Sequence, residues 1–95
     1  MIDELDNAKI LMLSNKGHYG SIKIIDESDN EFGEIKVCYL AICKYKDDKG
    51  VYLFLCDENM SVEQDSLFDY IDEAIISAQR RSQIPIVWNY PDTRK

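Results

Sequence analysis

Histidine is scarce in this 95-residue chain: His18 stands alone, in the stretch KGHYG. Structural zinc sites use closely spaced Cys or His pairs. Triad catalysis needs an imidazole beside a nucleophile and held by a third group. Neither pattern is present, and His18 reads as an exposed turn residue. Cysteine is limited to Cys38, Cys43 and Cys56. The count is odd, and each lies in an apolar run where a thiol serves as a small core residue. Cys38 and Cys43 are five positions apart, so on one strand they would point to opposite faces. The four glycines form neither a P-loop, since GHYG lacks the Gly-Lys-Ser/Thr ending, nor a dinucleotide fingerprint. A calcium loop begun at Asp57 or Asp26 would place Val62 or Glu31 where Gly is needed, and Phe68 or Val37 where Glu is needed. The chain therefore reads as a non-enzyme with no cofactor and no metal site. No apolar run approaches the length that spans a bilayer. No basic start precedes an apolar stretch in MIDELDNAKI, so it is not read as a signal peptide. The cytoplasm is the expected location.

What the chain has is charge of one sign in one place. Its net charge is −7. Asp57, Glu58, Glu63, Asp65, Asp69, Asp72 and Glu73 lie within seventeen residues that contain no Lys or Arg, and the other eleven acids are matched by eleven bases. Phosphate backbones and anionic membranes call for concentrated Lys and Arg, so neither is an expected partner. A basic protein surface is, because complementary fields speed encounter. A chain of this length makes one domain, 1–95, with about two-thirds of its unfolded surface buried. The 45% apolar content suits an ordered core.

Periodicity gives the elements. Residues 2–13 fit a helical stripe or, through KILML, a short strand; the helix is favoured, closed near Gly17. SIKII reads as a strand that breaks at DESDNEFG. EIKVCYLAICKYK reads as one long strand, with Ile35, Val37, Tyr39, Ala41, Cys43 and Tyr45 on one face and Lys36, Cys38, Leu40, Ile42 and Lys44 on the other. Its middle is apolar on both sides, so both should be covered, the second by a further layer or by a second copy in a homodimer. KDDKG is a hairpin loop and VYLFLC the antiparallel return. ENMSVEQ fits a short strand or a loop. A helix follows over about Ser66 to Ser82, with Leu67, Phe68, Ile71, Ala74, Ile75 and Ala78 as its buried stripe. Asp65 or Ser66 would cap it, and Arg80 and Arg81 suit its C-terminal end. QIP stops it. IVWNY fits a last short strand, and PDTRK a frayed tail. The expected class is α+β: a small antiparallel β-sheet with a C-terminal amphipathic helix on one face and a short N-terminal helix.

The acidic segment carries the functional reading. Paired carboxylates act as acid and base only where burial separates their pKa values, and these residues read as exposed. Any one of them reads as part of a solvated surface. A helix face usually interleaves both signs, and here a self-repelling segment is kept without relief, which a binding role explains. The stretch GVYLFLCDENMSVEQDSLFDYIDEAIISAQ also resembles a pattern in small bacterial immunity proteins of polymorphic-toxin and contact-dependent inhibition systems. There, a strand of YLFLCDE type leads through a short acidic segment, with an Asp at the position of Asp65, into an amphipathic helix. The resemblance covers about the C-terminal half of the chain and departs in having no aromatic residue near Met60. It implies a cytosolic inhibitor that binds a toxin domain, often a nuclease. The seven acids would then occupy a basic active site by imitating a nucleic-acid backbone.

Overall fold

A computed structural model describes residues 3–91 of the protein. Eight strands and one helix follow in the order β1 (Glu4–Leu5), β2 (Ala8–Ser14), β3 (Ser21–Ile25), β4 (Glu31–Lys36), β5 (Tyr39–Lys44), β6 (Val51–Cys56), β7 (Val62–Phe68), α1 (Ile71–Arg81) and β8 (Trp88–Asn89). The main sheet is antiparallel in the order β1-β2-β5-β6-β7, and β8 joins it on β2. β3 and β4 pair only with each other, as a hairpin inserted between β2 and β5. The α+β class holds, with strands dominant, the sheet curled into a half-barrel and the helix short and C-terminal.

The helix covers one face. Ala74 and Ala78 are fully buried there against Leu40, Ile42, Val51, Leu53 and Leu55, with Ile71 and Ile75 packed at the margin. Alanines at the contact let the helix lie close to the strands. Arg81 Nε donates to the Tyr19 carbonyl oxygen at 3.2 Å, tying the helix end to the loop after β2. The opposite face is filled from within the chain. Leu5, Ala8, Ile10, Leu13, Ala41, Cys43, Phe54 and Cys56 form a second buried cluster, flanked by Tyr39, Tyr45, Tyr52, Met60 and Val62. The curl of the sheet thus covers both sides of β5, whose alternation is as expected from Tyr39 to Cys43.

Three expectations are corrected. The N-terminal segment is a hairpin, not a helix. Asp6 and Asn7 both adopt left-handed angles, φ 52° and 69°, the primed two-residue turn that Asp and Asn tolerate. β2 then buries apolar side chains on both faces of the sheet. The long strand from Glu34 to Lys46 is two strands in two sheets. It breaks at Val37 and Cys38, three of whose four backbone groups are taken by the loop after β2: Tyr19 N–H donates to the Val37 oxygen, Val37 N–H to the Gly20 oxygen, and Gly17 N–H to the Cys38 oxygen, while Cys38 N–H donates to the Cys56 oxygen. The helix begins at Ile71, not Ser66. Ser66, Leu67 and Phe68 belong to β7, paired with Leu53, Tyr52 and Val51. Leu67 is 59% exposed rather than part of the buried stripe. The N-cap is Tyr70, with no side-chain cap, so neither Asp65 nor Ser66 serves. The hairpin loop, the return strand and the short strand in IVWNY are as expected. The fray expected over PDTRK lies, beyond Pro91, outside the described residues.

Candidate partner-binding edge

The seven acids follow the chain from the end of β6 through β7 into α1. Asp57 and Glu58 lie in the β6–β7 turn, Glu63 and Asp65 on β7, Asp69 in the turn that follows, and Asp72 and Glu73 in the first turn of α1. All are exposed except Asp57, which is partly covered. They are spread over a strand about 20 Å long (seven residues at roughly 3.3 Å each), the turns at its two ends and the start of the helix, rather than gathered at one point. Among the described residues no three His, Cys, Asp or Glu side chains converge as metal ligands.

Local chemistry places each group. The Asp57 Oδ1 accepts from the backbone N–H groups of Asn59 at 2.8 Å and Ser61 at 2.9 Å. Those bonds, the Ser61 one foremost, hold its carboxyl below the ordinary 3.8 of an aspartate. Asp57 is thus a structural acid that closes the turn. Glu58 projects freely beside it, over a shallow hollow of about 380 Å³ shared with Glu34 and Lys36. Asp65 lies directly opposite Phe54 and Leu67 opposite Tyr52, so both share the face of the second cluster. Tyr45, Tyr52 and Phe54 form an aromatic group there, with ring centroids 5.2, 6.4 and 6.1 Å apart. Burial first, then the charges of Asp6 and Asp65, push the Tyr45 hydroxyl up. At the far end, Glu73 shares a hollow with Phe68, Ile76, Ser77 and Arg80. Arg80 is the nearest base to the segment in sequence.

The backbone of β7 was not legible as part of the site. β7 pairs with β6 on one side, and among the described residues no strand pairs with it on the other. The register shows which groups face outward. Leu40 N–H points to β2, where it meets Ser14 Oγ, and the Cys56 oxygen points to β5, where it accepts from Cys38 N–H. Direction alternates along each strand, so Leu53 and Leu55 face β7 and are met by Ser66 and Gln64. Asp65 and Leu67 therefore turn their N–H and C=O groups to the open side. A polar run such as VEQDSLF has little strand propensity of its own, which is why periodicity favours a helix there; charge on a border strand is the available clue.

Other chemistries find little support in the geometry. Burial pushes the thiols of Cys43 and Cys56 up to about 12, with small added effects from Cys56 on the first and from Asp57 and Glu63 on the second. A thiol so raised is a poor nucleophile. His18 is exposed, beside Gly20, Arg81, Gln83 and Ile84. No helix among the described residues is long and apolar enough to cross a membrane.

No family model, no curated protein and no solved structure matches the chain.

Proposed function

We propose that the chain is a cytosolic binding protein that neutralises a basic toxin domain, a nuclease being the favoured kind, through the acid-lined border formed by β7 and the start of α1. The observation that carries this reading is the unbroken succession of Glu58, Glu63, Asp65, Asp69, Asp72 and Glu73 from the β6–β7 turn through β7 into the first turn of α1, all exposed and with no base among them in sequence. Backbone N–H groups engage Asp57 and a side-chain hydrogen bond ties Glu63 to it, whereas among the described residues no salt bridge or side-chain hydrogen bond engages Glu58, Asp65, Asp69, Asp72 or Glu73. A nuclease cleft is basic because it binds phosphates, and a row of carboxylates complements it.

The test is co-expression. The product of the gene immediately upstream should arrest growth, and this chain should relieve the arrest. Replacing Asp65, Asp69 and Asp72 together by Asn should leave the fold intact, slow association with that product and flatten its salt dependence. The Debye length falls from about 10 Å at 0.1 M salt to about 3 Å at 1 M, so wild-type association should slow steeply over that range. Relief of arrest by the triple variant at wild-type rates would move the interface elsewhere. Absence of any toxic neighbour would favour a regulatory module without a toxin.

A further inference from the structure

The two borders of the main sheet are treated differently. On the β2 side the outer edge is occupied by two strands of two residues each, β1 against Lys9 and Ala8 and β8 against Leu13 and Ser14. Ile10 N–H, between them, donates to the Asp3 oxygen at 2.9 Å. That border is covered along its length by short pieces, which is how sheets avoid pairing with strangers. The β7 border is seven residues long, regular from Gln64 to Phe68, and open. It carries no proline and no lysine.

We propose that β7 accepts a basic extended segment of the partner as an added strand, which pairs with the outward backbone groups of Asp65 and Leu67 and lays alternate Lys or Arg side chains over the Asp65 carboxylate and toward Tyr52. This rests on the reading of the border as the site for a basic partner and adds the manner of binding. Three features select the occupant. The outward N–H and C=O groups of Asp65 and Leu67 demand a strand rather than a helix. The carboxylates of Glu63 and Asp65 on β7, with Asp57 and Asp69 at its ends, repel a second copy of the same strand and attract a basic one. On the face that alternate side chains of an added strand would share, Asp65 and Leu67 come first and Tyr52 lies one strand further in, edge to face with Tyr45 at 86°. A Lys or Arg cation is attracted by the carboxylate and by an aromatic ring face alike.

The experiment uses a labelled ten-residue peptide of alternating Lys and Val. Its counterpart carries N-methyl groups on alternate backbone nitrogens, so that charge is kept and strand pairing is blocked. The plain peptide should bind and should slow hydrogen exchange at the Asp65 and Leu67 amides. The methylated one should bind at least tenfold more weakly. Leu67→Pro removes one outward N–H without altering charge, at a border position that tolerates proline, and should cost the plain peptide a similar factor while leaving the thermal midpoint near wild type. Equal affinity of the two peptides overturns strand addition and leaves the charge-based reading standing. Failure of both to bind at low salt overturns the two together. Concentration-dependent dimers with protected Asp65 and Leu67 amides, in the absence of peptide, would make the occupant a second copy and also overturn the proposal.

Discussion

Asp26 and Asp57 open turns of the same build. In DESDN and in DENMS the Asp Oδ1 accepts two backbone N–H groups, from residues two and four positions on. The fourth residue is left-handed in each, Asp29 at φ 64° and Met60 at φ 66°. The last residue closes the loop, its carbonyl accepting from the N–H of the Asp. The hairpins on these turns differ in burial through β6 alone, since β7 has no buried position either. β3–β4 has no residue classed as buried, and Ile25 and Phe32 near its tip are 55% and 66% exposed. β6 is buried at five of six positions and sits between β5 and β7. Turn chemistry therefore sets where the chain reverses, and side chains decide whether the reversal becomes core. SIKII carries one charge at its centre and EFGEIK three, whereas VYLFLC is apolar on both faces. A two-stranded hairpin alone is marginal in water, so β3–β4 should open locally well before the main sheet unfolds.

The largest contrast should come from aromatic truncation. Phe54→Ala, at a fully buried position, should cost about 3–5 kcal/mol. Phe32→Ala, on the projecting hairpin, should stay within about 0.5 kcal/mol. Denaturant midpoints check both, and comparable losses would mean that the two hairpins share one core.

Glycines sharpen the comparison next. A Cβ on Gly50 would lie 2.5 Å from the Phe68 carbonyl oxygen, while on Gly33 its nearest neighbour would be the Ile24 Cδ1 at 3.7 Å. Gly50→Ala should destabilise by roughly 1–3 kcal/mol, because backbone must shift. Gly33→Ala should be neutral to within about 0.5 kcal/mol.

Acid should separate the turns further. The Asp57 carboxyl is held below 3.8, so its stabilisation is complete above that pH and is lost as pH falls through its folded-state value. Asp57→Ala should lower the thermal midpoint at pH 7, and the gap to wild type should close below pH 3.8. Asp26→Ala should leave the midpoint unchanged and instead speed amide exchange in β3 and β4.

The smallest effects belong to the left-handed positions. Met60 touches the second cluster, so Met60→Gly trades roughly 1 kcal/mol of lost burial against about as much backbone relief. Its net change should be under about 0.5 kcal/mol. Met60→Ala loses the contact without the relief and should be worse by about 1 kcal/mol. If Met60→Gly is the more damaging of the two, the side chain is not what makes this turn tolerable.

What was legible in the sequence followed the strength of local signals. VYLFLC and the KDDKG loop were clear because β-branched and aromatic residues met a glycine-ended turn. Ala74 and Ala78 were legible because helical periodicity continues to Arg81. The start of the helix was not. Leu67 and Phe68 satisfy helical spacing, yet pairing with Tyr52 and Val51 supplies their backbone with partners that local periodicity cannot reveal. The Asp6–Asn7 turn was a readable signal that a competing stripe through Leu5 and Met12 obscured. Of the candidate site, the carboxylates were visible and the outward backbone of Asp65 and Leu67 was not, since strand direction depends on the neighbouring strand.

β2 contains one residue more than its partner requires. The register steps from Ile10 opposite Cys43 to Met12 opposite Ile42, with Leu11 unpaired between them. Before that step the even-numbered Ala8 and Ile10 enter the aromatic-side cluster; after it the odd-numbered Leu13 does, and Met12 enters the helix side. The strand is thus read in two frames. Deleting Leu11 would merge the two frames into one: Met12 would follow Ile10 in plain alternation, opposite Ile42 as before, and every side chain on both flanks would keep its present core. The result should be a folded sheet that has lost the local bend a bulge imposes rather than an unfolded chain.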